Sequence, residues 1–358
     1  MTDLLELVNV TRRQATWRFL LLDPGLKPLG ELEVDRTSPP SLSVDTSRAV
    51  KRTCSGVTLT PGEIADIDVI GERVSITMVL EDGSEWPQGV FLFSDVSKFV
   101  FTQGVEIGAL NLVDQLLIVD QQLDQSFVMR PGDSITDGII DLLVPLPVTV
   151  VIDPSGAVVS PAQEAISWPA GTSRLRVINE LATQIGYHEL FFDNDGVGQL
   201  HLMPNPDSTP DADVLSYPVG RRTFFGTVTR STNLLELPNR FVVVNNGATD
   251  VPIFGLYDVP DSAPHSATNR GFVISHVEQL QGINTNEDAE RAAVSLARSW
   301  RWAFETVEFA GPPDPRHDTY TTVDFDGTRY LELGWSLTLR EGTEMRHQLR
   351  RTYETTEV

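Results

Sequence analysis

Cysteine is almost missing from this chain: Cys54 is the one thiol in 358 residues. A single cysteine excludes an intrachain disulfide framework. Folding in a reducing cytosol is therefore expected, with Cys54 as a small buried thiol rather than a nucleophile. Long apolar runs are missing too. No window approaches the roughly 18 apolar residues of a transmembrane helix, so no membrane-spanning segment is expected. The opening MTDLLELVNVTRRQ places acids before a short apolar strip and Arg12-Arg13 after it. That polarity is wrong for a secretory signal. Basic charge is scarce: 27 Lys and Arg face 50 Asp and Glu, a net charge of −23. The scarcity is greatest over 111–217, with 3 basic against 15 acidic residues, compared with 10 against 16 before it and 14 against 19 after it. Such a surface repels phosphate, so sequence-specific nucleic-acid binding is not expected.

Catalytic and ligating signatures are also missing. The histidines at 188, 201, 265, 276, 317 and 347 form no H-E-x-x-H or H-x-H pair, and one cysteine cannot build a zinc site. There is no G-x-S-x-G elbow and no phosphate-binding G-x-x-x-x-G-K-[ST] loop. Asp193-Asn194-Asp195-Gly196 resembles the start of a calcium loop, where alternate carboxylates converge on a hard cation. The loop's twelfth position is Pro204 rather than Glu, so the stretch reads as a hairpin turn between two apolar runs. Fifty acids allow many glycosidase-like carboxylate pairs, and the sequence selects none of them. Gly220-Arg221-Arg222 and Arg346, Arg350 and Arg351 read as ion-pairing spots against an acidic neighbouring chain. Trp300 falls on a helix's apolar stripe and reads as core, while Trp302 is core or a sugar platform. The expectation is a protein that is not an enzyme, with no catalytic residue, no cofactor and no metal ligand.

What is present is a packed-core composition, 41% apolar, in a chain long enough for two or three domains. From Trp17 to Val100 short runs alternate: Arg18–Leu22, Gly30–Val34, Val57–Thr60, Arg73–Leu80 and Val90–Phe93. Asp23-Pro24-Gly25, Pro39-Pro40, Pro61-Gly62 and Asp82-Gly83 punctuate them, which suggests a small barrel or sandwich. Leu112, Leu116, Val119 and Leu123 recur at helical spacing and predict an amphipathic helix over 110–123. Further helices are predicted at Ser134–Leu143 and at Thr172–Ile185, the second stopped by Gly186. A hairpin is expected over His188–Met203, and 204–220 is rich in Pro and Asp like a linker. Beyond it come a buried strand at Asn239–Val244 and a loop at 258–270. A helix headed by Thr285 and Asp288 follows, then strands near Glu305–Phe309, Thr319–Phe325, Arg329–Leu339 and Met345–Tyr353.

Two stretches carry a resemblance. Leu22, Asp23, Gly30 and Leu32 lead into a basic segment with Arg48, Lys51, Ser55, Gly56 and Leu59. An acidic turn then runs through Gly83, Trp86, Gly89 and Phe91. Further on, Val177, Ile178, Leu181, Ala182, Gly186 and Tyr187 precede a turn with Asp193 and Gly196, and a strand with Leu200 ends at Pro204. In order and spacing the chain resembles the tail hub proteins of long-tailed phages, the baseplate-hub or tail-associated family. A five-residue echo between Asp82–Trp86 and Asp326–Tyr330 fits the family's two pseudo-equivalent barrels.

The resemblance implies an α+β, β-rich fold in which two barrel-like β-domains flank a mixed α/β middle domain. Its bounds would be 1–110, 111–205, a linker at 206–220, and 221–358. It also implies a homotrimeric hub at the tip of a non-contractile phage tail, assembled in the host cytoplasm and forming part of the DNA channel. The implied partners are the distal tail protein ring, the C-terminus of the tape-measure protein and tip fibre or spike proteins. Many family members add a cell-wall-degrading domain, and the end of this chain soon after the second barrel leads us to expect none. The competing expectations are a secreted β-rich carbohydrate-binding protein or glycosidase, and a receptor-binding tail protein.

Overall fold

Alternating β-branched and aliphatic residues make long strands, and most of them enter one sheet. In the computed structural model the described residues are 15–59, 67–100, 106–159, 165–218, 227–232, 237–245, 253–280, 283, 285–300 and 305–351. The lead-in at 1–14, the Pro61-Gly62 turn, Arg221-Arg222, the Asn246-Gly247 turn and Trp302 lie outside them.

The first strands are β1 (Ala15–Leu22), β2 (Pro28–Glu31), β3 (Ser41–Asp45), β4 (Arg52–Leu59), β5 (Arg73–Leu80), β6 (Glu85–Val100) and β7 (Glu106–Asp114). The middle holds α1 (Leu116–Val119), β8 (Phe127–Met129), α2 (Ile135–Leu143), β9 (Val150–Ile152), β10 (Ile166–Trp168), α3 (Arg174–Gln184), β11 (Phe191–Phe192) and β12 (Gly198–Leu200). Then come β13 (Leu215–Tyr217), β14 (Thr229–Thr232), β15 (Arg240–Asn245), β16 (Phe254–Asp258), α4 (Ala267–Arg270), β17 (Ser275–Leu280) and α5 (Asn286–Trp300). The chain closes with β18 (Glu305–Gly311), β19 (Thr322–Phe325), β20 (Thr328–Thr338) and β21 (Met345–Arg351).

The two β-rich ends share one sheet, ordered β14-β18-β21-β20-β3-β4-β7-β6-β5-β1-β2, with β19 and β13 attached to β20. The joint is β3, which follows Pro39-Pro40 and is not among the strands expected from the sequence. It runs antiparallel to β4 on one side and to β20 on the other, with Val44 opposite Trp335 and Leu42 opposite Leu337. Two barrel-like β-domains were expected. Among the described residues the sheet instead stays open, with β2 and β14 at its edges. Because β3 gives its second edge to β20, neither half closes on itself. The apolar core follows the joint: Leu42, Val44, Phe91 and Leu112 pack in one cluster with Trp335, Leu337 and Met345.

The helix predicted over 110–123 is a correction. Residues 106–114 form β7, and only Leu116–Val119 is helical. The 3.6-period pattern was coincidental: Leu110 and Leu112 alternate as strand residues into the sheet core, and Leu116 and Val119 enter the neighbouring core. The other helices stand where their caps predict. The Ser134 hydroxyl accepts from Asp137 N at 3.2 Å, and the Ser173 hydroxyl accepts from Arg176 N at 3.1 Å. The Thr285 hydroxyl accepts from Asp288 N at 3.1 Å and donates to the Asp288 carboxylate at 2.7 Å. Helices α2 and α3 bury Ile139, Leu142, Ile178 and Leu181 in a separate middle core with Trp168 and Phe192. The Pro- and Asp-rich stretch after it is not bare loop. It makes two 3-10 turns and then β13, whose Leu215 and Tyr217 enter the C-terminal core. Helix α5 covers one face of the small sheet β16-β15-β17.

Candidate functional site

The three regions of the chain meet at one buried arginine. Arg52, at the start of β4, is 1% exposed. Its guanidinium donates to the Gln88 carbonyl of β6 at 2.7 Å, to the Asn194 side-chain oxygen in the β11–β12 turn, and to Asp318 Oδ1 before β19 at 2.6 Å. It also lies 5.8 Å from the centre of the Trp335 ring. Asn194 completes the knot: its backbone N–H donates to Asp318 Oδ2 at 2.9 Å and its amide to the His317 carbonyl at 2.9 Å. Burial raises the Asp318 carboxyl above its usual range, and the Arg52 charge opposes that shift.

Neighbouring polar bridges repeat the pattern. Lys51 is buried and donates to Glu189 Oε2 at 2.7 Å. Arg73 donates to Gln115 Oε1 at 2.7 Å, and Gln115 donates to the Gly196 carbonyl at 2.7 Å. Gln88 donates to the Pro315 carbonyl at 3.2 Å. Asp114, at the end of β7, accepts from Arg52 N at 2.9 Å and Leu116 N at 3.0 Å. Burial outweighs those bonds and pushes its carboxyl up to about 6. The close approach depends on glycine at two points. Gly89 has φ +126°, and a Cβ there would meet Arg52 Cδ at 2.8 Å. Gly196 has φ +76°, and a Cβ there would meet Val90 Cγ2 at 2.6 Å.

Beside this knot lies a second buried group. Glu332 on β20 accepts from Nδ1 of His317 at 2.5 Å and from Nδ1 of His347 on β21 at 2.7 Å. The Tyr217 hydroxyl donates to His317 Nε2 at 2.6 Å. Burial pushes the Glu332 carboxyl up to about 7 and the His317 imidazole down to about 4, and it lowers His347 too. His317 and His347 stand thirty positions apart in sequence, so no local spacing signals them. The pairing of β20 with β21 sets His347 beside Glu332, and the loop before β19 brings in His317.

The residues weighed in the sequence fall as follows. Cys54 is buried on β4, where burial pushes its thiol well above the usual range. Asp193 Oδ1 accepts from Asp195 N at 3.0 Å and Val197 N at 2.8 Å, so this carboxylate braces a hairpin turn. Trp300 packs against the core under α5. Arg346 pairs with Glu344 of its own strand region at 2.7 Å. His188 is buried against His201, Phe191 and Tyr320. A pocket of 790 Å³ opens between α3, α5 and the turn at Ser47–Ala49. Two ion pairs lie within its wall: Arg176 pairs with Glu180 at 2.7 Å, and Arg291 pairs with Asp288. The hydrogen bonds of Arg52, Asn194 and Asp318 join the three segments at this junction.

No known protein-family profile matches the chain, and no curated protein sequence matches it. Solved structures do. A tail protein from Neisseria meningitidis MC58 superposes with TM-score 0.63 at 13% identity, covering 94% of this chain and 97% of that one. The 43 kDa tail protein of prophage MuSo2 from Shewanella oneidensis gives 0.62 at 12% identity, covering 94% and 98%. Prophage tail protein gp18 from Listeria monocytogenes EGD-e gives 0.55 at 7% identity, covering 95% of each chain. The chain has the fold of phage tail proteins, in agreement with the tail-hub resemblance carried by its sequence.

Proposed function

We propose that this chain is a structural, non-enzymatic component of a phage tail, a homotrimeric hub at the tail tip. The observation that carries the reading is end-to-end agreement in fold. More than nine-tenths of this chain and of the Neisseria and Shewanella tail proteins superpose, so the likeness extends across the whole architecture rather than one module. The physics of the junction supports it. A hub must transmit load between the tube above and the tip below without its parts rotating. Here one sheet runs through both β-rich ends, and Arg52 ties the middle region to both.

A trimer presenting two similar β-units per chain offers six similar contacts, and so matches a sixfold ring to a threefold tip. On this reading the neighbours are a distal tail protein ring, the tape-measure C-terminus and tip fibres or a spike, and the protein resides in the virion. The test is the solution mass by light scattering across a concentration series. A mass near three times 39.6 kDa is expected. A strict monomer that binds glycans would overturn the reading.

A further inference from the structure

We propose that His317, Glu332 and His347 form a structural site for a divalent transition-metal ion of the zinc type. The three offer two imidazole nitrogens and a carboxylate whose ligand atoms all lie within 4.8 Å of one another. All three side chains are buried, at 0%, 1% and 0% exposed. A buried carboxylate normally meets a cation, because burying an unpaired charge is costly. Asp318 meets Arg52 at 2.6 Å and Asp314 meets Arg316 at 2.5 Å, whereas the side-chain groups bonded to Glu332 are two imidazole Nδ1 atoms. Among the described residues, no Lys or Arg side chain pairs with Glu332.

Two nitrogens and one carboxylate are a zinc-type donor set, whereas calcium and magnesium take oxygen. Metal–ligand bonds near 2.0–2.2 Å would replace the direct Nδ1–carboxylate contacts at 2.5 and 2.7 Å, which must widen as an ion enters between them. Each histidine keeps one proton. On metal binding it moves from Nδ1 to Nε2, and His317 Nε2–H then donates to the Tyr217 oxygen, which already stands at 2.6 Å. A hydrogen-bonded ring nitrogen of this kind fixes the orientation of a ligating imidazole. His347 is held instead by stacking on Phe309, at 4.6 Å between ring centres and 21° between planes. A cleft of 630 Å³ lined by Phe309, Trp335 and His347 lies beside the group. The ion would pin β20, β21 and the loop that delivers Asp318 to Arg52.

The test uses the whole chain, refolded with zinc or with chelator, desalted and assayed for metal by mass spectrometry. One equivalent per chain is expected to survive desalting, with a higher thermal transition than the chelator-refolded protein. Cobalt(II) in place of zinc is expected to give the strong visible bands of a low-coordinate site with nitrogen ligands. His347→Asn and His317→Asn are expected to lose that equivalent while keeping the near-ultraviolet dichroism of the fold. Retention of no metal would overturn the proposal. So would equal retention in the folded variants, which would assign the ion to surface carboxylates. Should both variants fail to fold, the wild-type cobalt spectrum decides, since weak bands typical of six oxygen ligands contradict the site.

Discussion

The two β-rich ends of this molecule share a sheet but are filled by different chemistry. Around β1, β5, β6 and β7 the core cluster is aliphatic and aromatic (Phe19, Leu21, Val74, Ile76, Phe91, Leu110 and Leu112), and the buried polar side chains of these strands, Arg73, Gln88 and Asp114, belong to the seam. Around β19, β20 and β21 the core also has Val323, Phe325 and Leu349, but beside them it buries His317, Glu332 and His347. The apolar half holds itself by exclusion of water, which is non-directional and tolerant of exchange. The polar half is held by directional bonds, each of which leaves a costly orphan if one partner is lost. The seam between them, with Arg52 at its centre, is where a single residue serves three segments.

That contrast sets the order of the expected effects. Arg52→Ala is expected to be the most damaging, because it strips Asp318, Asn194 and the Gln88 carbonyl together. About a quarter of the Asp318 side chain remains exposed, so the loss belongs near the lower end for a broken buried pair, about 3 kcal/mol in chemical denaturation. Its signature is a second unfolding transition as the middle region loosens from the sheet. A single cooperative transition at wild-type stability would refute the keystone role.

Leu42→Ala removes a fully buried side chain at the β3 joint and should cost about 2–3 kcal/mol in one transition. Asp114→Asn tests the polar seam by pH. The Asp114 carboxyl titrates near 6 when folded and near 3.8 in its ordinary state. The folded protein therefore holds the extra proton between those values, and stability from this group is full at low pH and lost as pH rises through about 6. The wild type should be more pH-sensitive than the variant in that window, by up to about 1 kcal/mol per pH unit. Parallel pH profiles would contradict the assignment. The smallest effect belongs to the surface pair Arg18–Glu85, doubly hydrogen-bonded at 2.8 and 2.7 Å but half in solvent. A double-mutant cycle should give less than about 1 kcal/mol.

The same contrast explains what the sequence disclosed. Strand β5 was legible because Val74, Ile76, Met78 and Leu80 alternate without a break, and α3 because Ser173 caps it and Gly186 ends it. The hairpins at Gly83 and Gly327 were legible because both glycines take positive φ. Strand β3 was not legible: five residues, SLSVD, follow a Pro pair, and one of their two partner strands lies nearly three hundred residues away. The buried histidine pair was hidden for a related reason. A bulge between Glu332 and Gly334 breaks the alternation of β20, so Tyr330, Leu331 and Glu332 are all buried and no two-residue period marks Glu332 as inward. Arg52 fell within a segment read only as basic, because its partners come from segments that only the fold assembles.

The most direct test of the central claim is electron microscopy of tail particles containing this chain, with an affinity-gold label on the protein. The account predicts label confined to the distal tip and threefold averages of the tip bearing a central opening. Label along the tail tube, at the head-proximal end, or absent from purified tails would contradict it.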